Sequence, residues 1–151
     1  MVSCVGCDQV TKSIALSVLP ETKASSYLAD TVRLQLVYNR GAFLSLGSSF
    51  SEPWRQGIFT VGAGFLLLGV LAYAFLSKPG SPLVVLAIAL FFAGGVSNLI
   101  DRVAYDGLVV DFMNVGIGPV RTGIFNVADV AITTGVLILL SMALSRQKKE
   151  R

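Results

Sequence analysis

Between Gln56 and Ser77 the chain runs for 22 residues without a charged side chain. As a helix rising about 1.5 Å per residue this is about 33 Å, enough to cross a bilayer's hydrocarbon core. Lys78-Pro79-Gly80-Ser81-Pro82 then breaks the helix with two prolines and a glycine. Leu83 to Ile100 is a second uncharged apolar run, with small residues in its later half that permit close helix approach. Residues 123–145 carry a single charge, Asp129, and form a third. The stretch Met1 to Leu19 is long enough for a fourth but contains Asp8 and Lys12. Composition agrees: 54% of the 151 residues are hydrophobic and 14% charged, against roughly 25% charged in ordinary soluble domains. An all-α integral membrane protein follows, with transmembrane helices near 1–19, 56–77, 83–100 and 126–145. No repeat or flexible linker divides the chain, so residues 1–151 read as one domain.

The formal charge of +3 belongs to the tail: Arg146-Gln-Lys-Lys-Glu-Arg151 holds four basic residues and one acidic, and the remainder balances at eight against eight. No basic surface tracks a phosphate backbone, which argues against a nucleic-acid partner. By the excess of Lys and Arg on cytoplasmic loops, the basic tail faces the cytoplasm, as do the Lys78 turn and the N-terminus. The longer connections, residues 20–55 and 101–122, then lie outside. In the first, Val32, Leu34, Leu36 and Tyr38 alternate with Arg33 and Gln35, a strand period, before a turn at Asn39-Arg40-Gly41. In the second, Gly107 to Val115 is a short apolar run interrupted by Asp111. Together they predict a small β platform on the outer face.

The absence of histidine removes Ser-His and Cys-His nucleophile systems and His-based zinc sites. Cys4 and Cys7 form a lone CxxC, a weak metal or redox signature that is better read as two small apolar residues on a membrane helix. The carboxylates carry more information, because ionisable groups in membrane segments cost at least ~2.5–3.5 kcal/mol each at the bilayer centre. Asp8 and Lys12 are four apart, the spacing for a helical ion pair. Asn98, Asp101 and Arg102 read equally as an interfacial stop or as a polar network beneath a site. Asn126 and Asp129 fit the N-cap and first turn of the last helix, where an acid complements the helix dipole. Asp111 has no such structural excuse and would carry a desolvation penalty.

If the last helix starts beside the Asp111 strand, Asp111 and Asp129 face each other and share one proton. One member can then take a proton from water while the other hydrogen-bonds a carbonyl, the division of labour that peptide hydrolysis requires. A proton-relay or transport protein is the alternative, since membrane carboxylates also mark ion pathways. The clustering of the acids at one face, without broken helices or inverted repeats, argues against it.

Five blocks in order, Asp8-Gln-Val-Thr-Lys12, Asn39-Arg-Gly-Ala42, Gly94-Gly-Val-Ser-Asn98-Leu-Ile-Asp101-Arg102, Val109-Val-Asp111-Phe112 and Phe125-Asn126-Val-Ala-Asp129, resemble the lipoprotein signal peptidase (signal peptidase II) family of bacterial aspartic membrane proteases. The resemblance implies four transmembrane helices with a β cradle outside, in the bacterial inner membrane, and a catalytic pair at Asp111 and Asp129. It places Asp8, Lys12, Asn39, Gly41, Asn98, Asp101, Arg102 and Asn126 at supporting or substrate-binding positions. The implied substrate is a diacylglyceryl-modified prolipoprotein, cut on the amino side of the lipidated cysteine by a monomer among membrane lipids, without metal or cofactor. Two departures stand out. Only seven residues precede Asp8, fewer than is usual in the family, a departure that bears on the insertion and stability of the first helix more than on the chemistry. The turn block lacks the second alanine many relatives have before Phe43, and Arg40 beside it is a candidate for lipid phosphate.

Overall fold

The computed structural model describes residues 1–41, 51, 54, 56–77 and 79–149. Ala42 and Phe43 of the turn block, Lys78 of the helix-breaking turn and the last two tail residues lie outside them. The elements run α1 (Val2–Val18), β1 (Ser25–Tyr27), β2 (Val32–Asn39), α2 (Ala63–Ser77, opened by a π-helical stretch Gly57–Gly62), α3 (Pro82–Ala104), β3 (Val109–Ile117), β4 (Val120–Arg121) and α4 (Val127–Lys149). Among the described residues, three segments are long and apolar enough to cross a membrane: Gly57–Ser77, Pro82–Ala104 and Val127–Ser145. Helix α1 is shorter, at 17 residues, and carries its two charges inside, with Asp8 and Lys12 both buried.

The strands form one antiparallel meander in the order β1-β2-β3-β4. The alternating segment predicted over 31–38 is β2, and it pairs with β3 from Val32↔Val115 to Asn39↔Val109 across an irregularity between Leu34 and Val37. The pairing sets Val37 opposite Asp111, so Asn39 lies two residues further along β2 at the same end of the sheet.

Two helix boundaries differ from the sequence expectation. Helix α3 continues past Ile100 to Ala104, so Asp101 and Arg102 belong to its last turns and not to the following connection. The reason is local: the Asp101 carboxylate finds partners inside the fold, so the helix continues through it. Helix α3 ends where Asp106 and Gly107 take left-handed conformations (φ 51° and 86°) and the Gly107 N–H bonds to the Arg102 carbonyl at 2.7 Å. The chain thereby reverses into β3. Helix α4 continues through the first tail residues to Lys149.

The distribution of side chains is that of a protein in an apolar solvent. Phe65, Phe75, Leu76 and Leu137 are exposed, while the buried positions of α3 and α4 are small or polar: Ala87, Ala93, Gly94, Ser97, Asn98, Asp101, Ala128, Asp129 and Ala131. Close packing replaces large apolar burial. A Cβ at Gly94 would lie 2.5 Å from the Ala128 carbonyl oxygen, and one at Gly135 would lie 2.6 Å from that of Ala87. At these two contacts α3 and α4 meet backbone to backbone. The contact nearer the start of α4 sets Asn98, one turn beyond Gly94 on α3, against Asp129.

Candidate active site

Two polar layers lie where α1, α3 and α4 meet the sheet. In the first, the Lys12 ammonium is bound by Asp8 Oδ2 at 2.7 Å and Asp101 Oδ2 at 2.8 Å. The i,i+4 pair expected from sequence therefore has a third member from α3. The remaining acceptors are also used: Asp8 Oδ1 receives the Ala128 N–H at 2.7 Å and Oδ2 receives the Ser97 hydroxyl at 2.7 Å. Asp101 receives Gln9 Nε2 at 2.8 Å on Oδ1 and the Val110 N–H at 3.0 Å on Oδ2. Asp8 thus pins the start of α4 to α1, and Asp101 pins β3 to α3. Gln9 and Ser97 escaped the sequence reading as individual sites. The available clue was that Ser97 lies four residues before Asp101 on one helical face, with Gln9 adjoining Asp8.

The second layer holds the other two acids. Asn126 and Asp129 cap α4 reciprocally: the Asp129 N–H donates to Asn126 Oδ1 at 2.9 Å, and the Asn126 N–H donates to Asp129 Oδ2 at 3.2 Å. With its carbonyl oxygen so engaged, the Asn126 amide nitrogen faces β3 and donates to Asp111 Oδ1 at 2.6 Å. Asn39 donates to Asp111 Oδ2 at 2.8 Å, while its own oxygen takes the Gly41 N–H at 2.9 Å. Asn98 donates to Asp129 Oδ1 at 3.0 Å. The two carboxylates, 18 positions apart in sequence, are therefore both bound to one residue, Asn126. Arg102 closes the rim, donating to the Gly41 carbonyl at 3.0 Å and the Asn98 carbonyl at 3.3 Å. The ten residues that the family resemblance places at catalytic or supporting positions converge here, while Arg40 stays exposed.

Asp111 is 1% exposed, and burial pushes its carboxyl up to about 7, with the charge of Asp129 adding to the effect. The amides of Asn39 and Asn126 and the charge of Lys12 hold it from going further. Asp129, 7% exposed, also lines a groove of about 340 Å³. Leu67 of α2, Phe91 and Gly95 of α3 and Thr133 of α4 line its other walls, with Asn98 and Arg102 at the polar end. Among the described residues no three His, Cys, Asp or Glu side chains converge in a metal-binding group. The arrangement is suited to moving protons at the end of an apolar channel.

Apolar helices around buried, ion-paired charge, with Asp129 lining an apolar groove, define an integral membrane protein with a buried carboxylate cluster. The family model described as Signal peptidase (SPase) II matches residues 1–145, and the chain belongs to that family. It is 34% identical over 146 residues to the lipoprotein signal peptidase of Francisella tularensis subsp. novicida (strain U112), covering 96% of this chain and 89% of that one. The lipoprotein signal peptidase of Streptococcus pneumoniae (strain ATCC BAA-255 / R6) is 34% identical, over 95% and 88% of the two chains. A solved bacterial membrane enzyme superposes with a TM-score of 0.85 at 27% identity, covering 99% of this chain and 88% of that chain. The protein is thus a membrane protease of bacterial type.

Proposed function

We propose that this protein is an aspartic endopeptidase that removes signal peptides from diacylglyceryl-modified prolipoproteins, cutting on the amino side of the lipidated cysteine. The observation that carries this reading is the bridging of Asp111 and Asp129 by Asn126, with Asp129 lining the groove. Two acids so close in a low-dielectric site retain one proton between them. The ionised member takes a proton from water, whose oxygen attacks the scissile carbonyl carbon. The protonated member hydrogen-bonds the carbonyl oxygen and then protonates the leaving nitrogen as the C–N bond breaks. No histidine, serine or metal is required. The groove's apolar walls suit the apolar part of a signal peptide, and Arg102 at its rim suits backbone carbonyls or lipid phosphate.

In this reading α1 is the fourth crossing, made insertable by internal pairing of its charges. Both termini face the cytoplasm, the sheet lies on the outer surface of the inner membrane, and one copy of the single-domain chain suffices. The test mixes the purified protein in detergent with a diacylglyceryl-modified precursor and with its unlipidated counterpart, and weighs the products by mass spectrometry. Cleavage before the modified cysteine alone is expected. Equal cleavage of both precursors would remove the lipid from the specificity, and cleavage of neither would overturn the assignment.

A further inference from the structure

Each asparagine of the second layer can aim its amide at a carboxylate only because something holds its carbonyl oxygen. For Asn39 this is the backbone N–H of Gly41, and for Asn126 the backbone N–H of Asp129. For Asn98 it is different: its Oδ1 accepts the Lys12 ammonium at 3.0 Å and Asn126 Nδ2 at 3.2 Å. An ammonium carries hydrogens only and cannot accept, so the atom facing Lys12 must be the oxygen. The Asn98 NH₂ is thereby turned to Asp129 Oδ1. Both Asp129 oxygens are met by donors, since Oδ2 faces the Asn126 N–H. All three Lys12 hydrogens are used, on Asp8, Asp101 and Asn98.

Resting on the assignment of Asp111 and Asp129 as the acting pair, we propose that Lys12 is a positioning residue for it: through the orientation of Asn98, Lys12 keeps an amide donor on Asp129 and so favours its ionised form. Lys12 touches neither the substrate groove nor the pair among the described contacts: its charge acts on both carboxyls through space, and its hydrogen bond reaches Asp129 through the Asn98 amide. The charged groups around Asp129 are Asp8 and Lys12 from α1, Asp101 and Arg102 from α3 and Asp111 from β3. Four carboxylates against two cations leave the cluster short of positive charge, so removal of the Lys12 link favours uptake of a second proton by the pair. A purely structural ion pair would lower the amount of folded protein and leave the ionisation of the pair unchanged.

The experiment compares the full chain in detergent with two variants, following cleavage of a diacylglyceryl-modified precursor from pH 4 to 9 and titrating the protonated-carboxyl infrared band of the same samples. Asn98→Ala removes the relay and leaves the Asp8–Lys12–Asp101 cluster intact. Asp8→Asn with Lys12→Met removes the cation together with one anion, so no net charge is added. In both variants the acidic limb of the rate profile and the infrared midpoint are expected to move up by about one pH unit, with an approximately tenfold lower rate below the limb. The infrared titration needs no turnover and reads the result even where cleavage is too slow to follow. An unmoved midpoint in both folded variants would overturn the role of Lys12. Cleavage by Asp129→Asn would instead overturn the underlying pair, so the two failures are distinguishable.

Discussion

Asp111 shows how a single residue couples stability to chemistry. Its carboxyl is raised to about 7 by burial and by Asp129, above the ordinary carboxylate value. Between roughly pH 4 and 7 the folded chain therefore holds a proton there that the unfolded chain has released. Stability contributed by this group is present at low pH and declines as pH rises to about 7, with no further change above it. Asp111→Asn should abolish cleavage yet raise thermal stability at pH 8 by on the order of 1–3 kcal/mol and flatten the pH dependence, as a melting series in detergent would show. Replacing Asp101 has the opposite effect on stability. It is 1% exposed and receives Lys12, Gln9 and the Val110 N–H, so Asp101→Ala takes one of the two carboxylates from a buried ammonium and strands a strand donor. A loss of about 3–5 kcal/mol, with less folded protein in the membrane, is expected there, measured by thermal unfolding and membrane yield.

At the scale of elements, the contact between α3 and α4 sets the site's geometry, because it carries Asn98 to Asp129. Gly94 and Gly135 face backbone oxygens, which cannot move aside as a flexible side chain can. Gly94→Ala and Gly135→Ala should each cost roughly 1–3 kcal/mol by thermal unfolding. Gly94→Ala should also reduce cleavage, since it separates the helices one turn from Asn98. Gly95→Ala meets only the Leu67 side chain and should be milder on both measures. Some of this was legible in the sequence. The cap at Asn126 and Asp129 followed from residue type and spacing, and β2 followed from strict alternation. The true end of α3 did not, because Asp101-Arg102 looks like an interfacial stop until Lys12 of α1 is known to neutralise the acid. The roles of Gln9 and Ser97 were hidden for the same reason: a polar residue's partner on another helix leaves no mark in its own segment.

For the whole molecule, the uncharged runs made a membrane location legible at once, and the excess of apolar surface on the helices agrees with it. The meeting of Asp111 with Asp129 was conditional in the sequence, because periodicity places each on its own element but not the elements against each other. Their approach, bridged by Asn126, depends on the reversal at Asp106–Gly107 and on the hydrogen bond that the Val110 N–H donates to Asp101. The proposed topology makes its own prediction. In a chain with Cys4 and Cys7 replaced by alanine, a cysteine at Glu21 should react with an impermeant thiol reagent added outside, and one at Gln147 only after the membrane is opened. Labelling of both from one side would contradict the three crossings between them, and outside labelling of a cysteine at Val2 would contradict α1 as the fourth.

The acid pair itself is tested most directly by weighing the products of a diacylglyceryl-modified precursor incubated with the wild-type chain, Asp111→Asn and Asp129→Asn, each purified folded at matched concentration. Cleavage before the modified cysteine by the wild type, with both variants slower by at least about 10³-fold, is the predicted result. Wild-type turnover by either variant would contradict it.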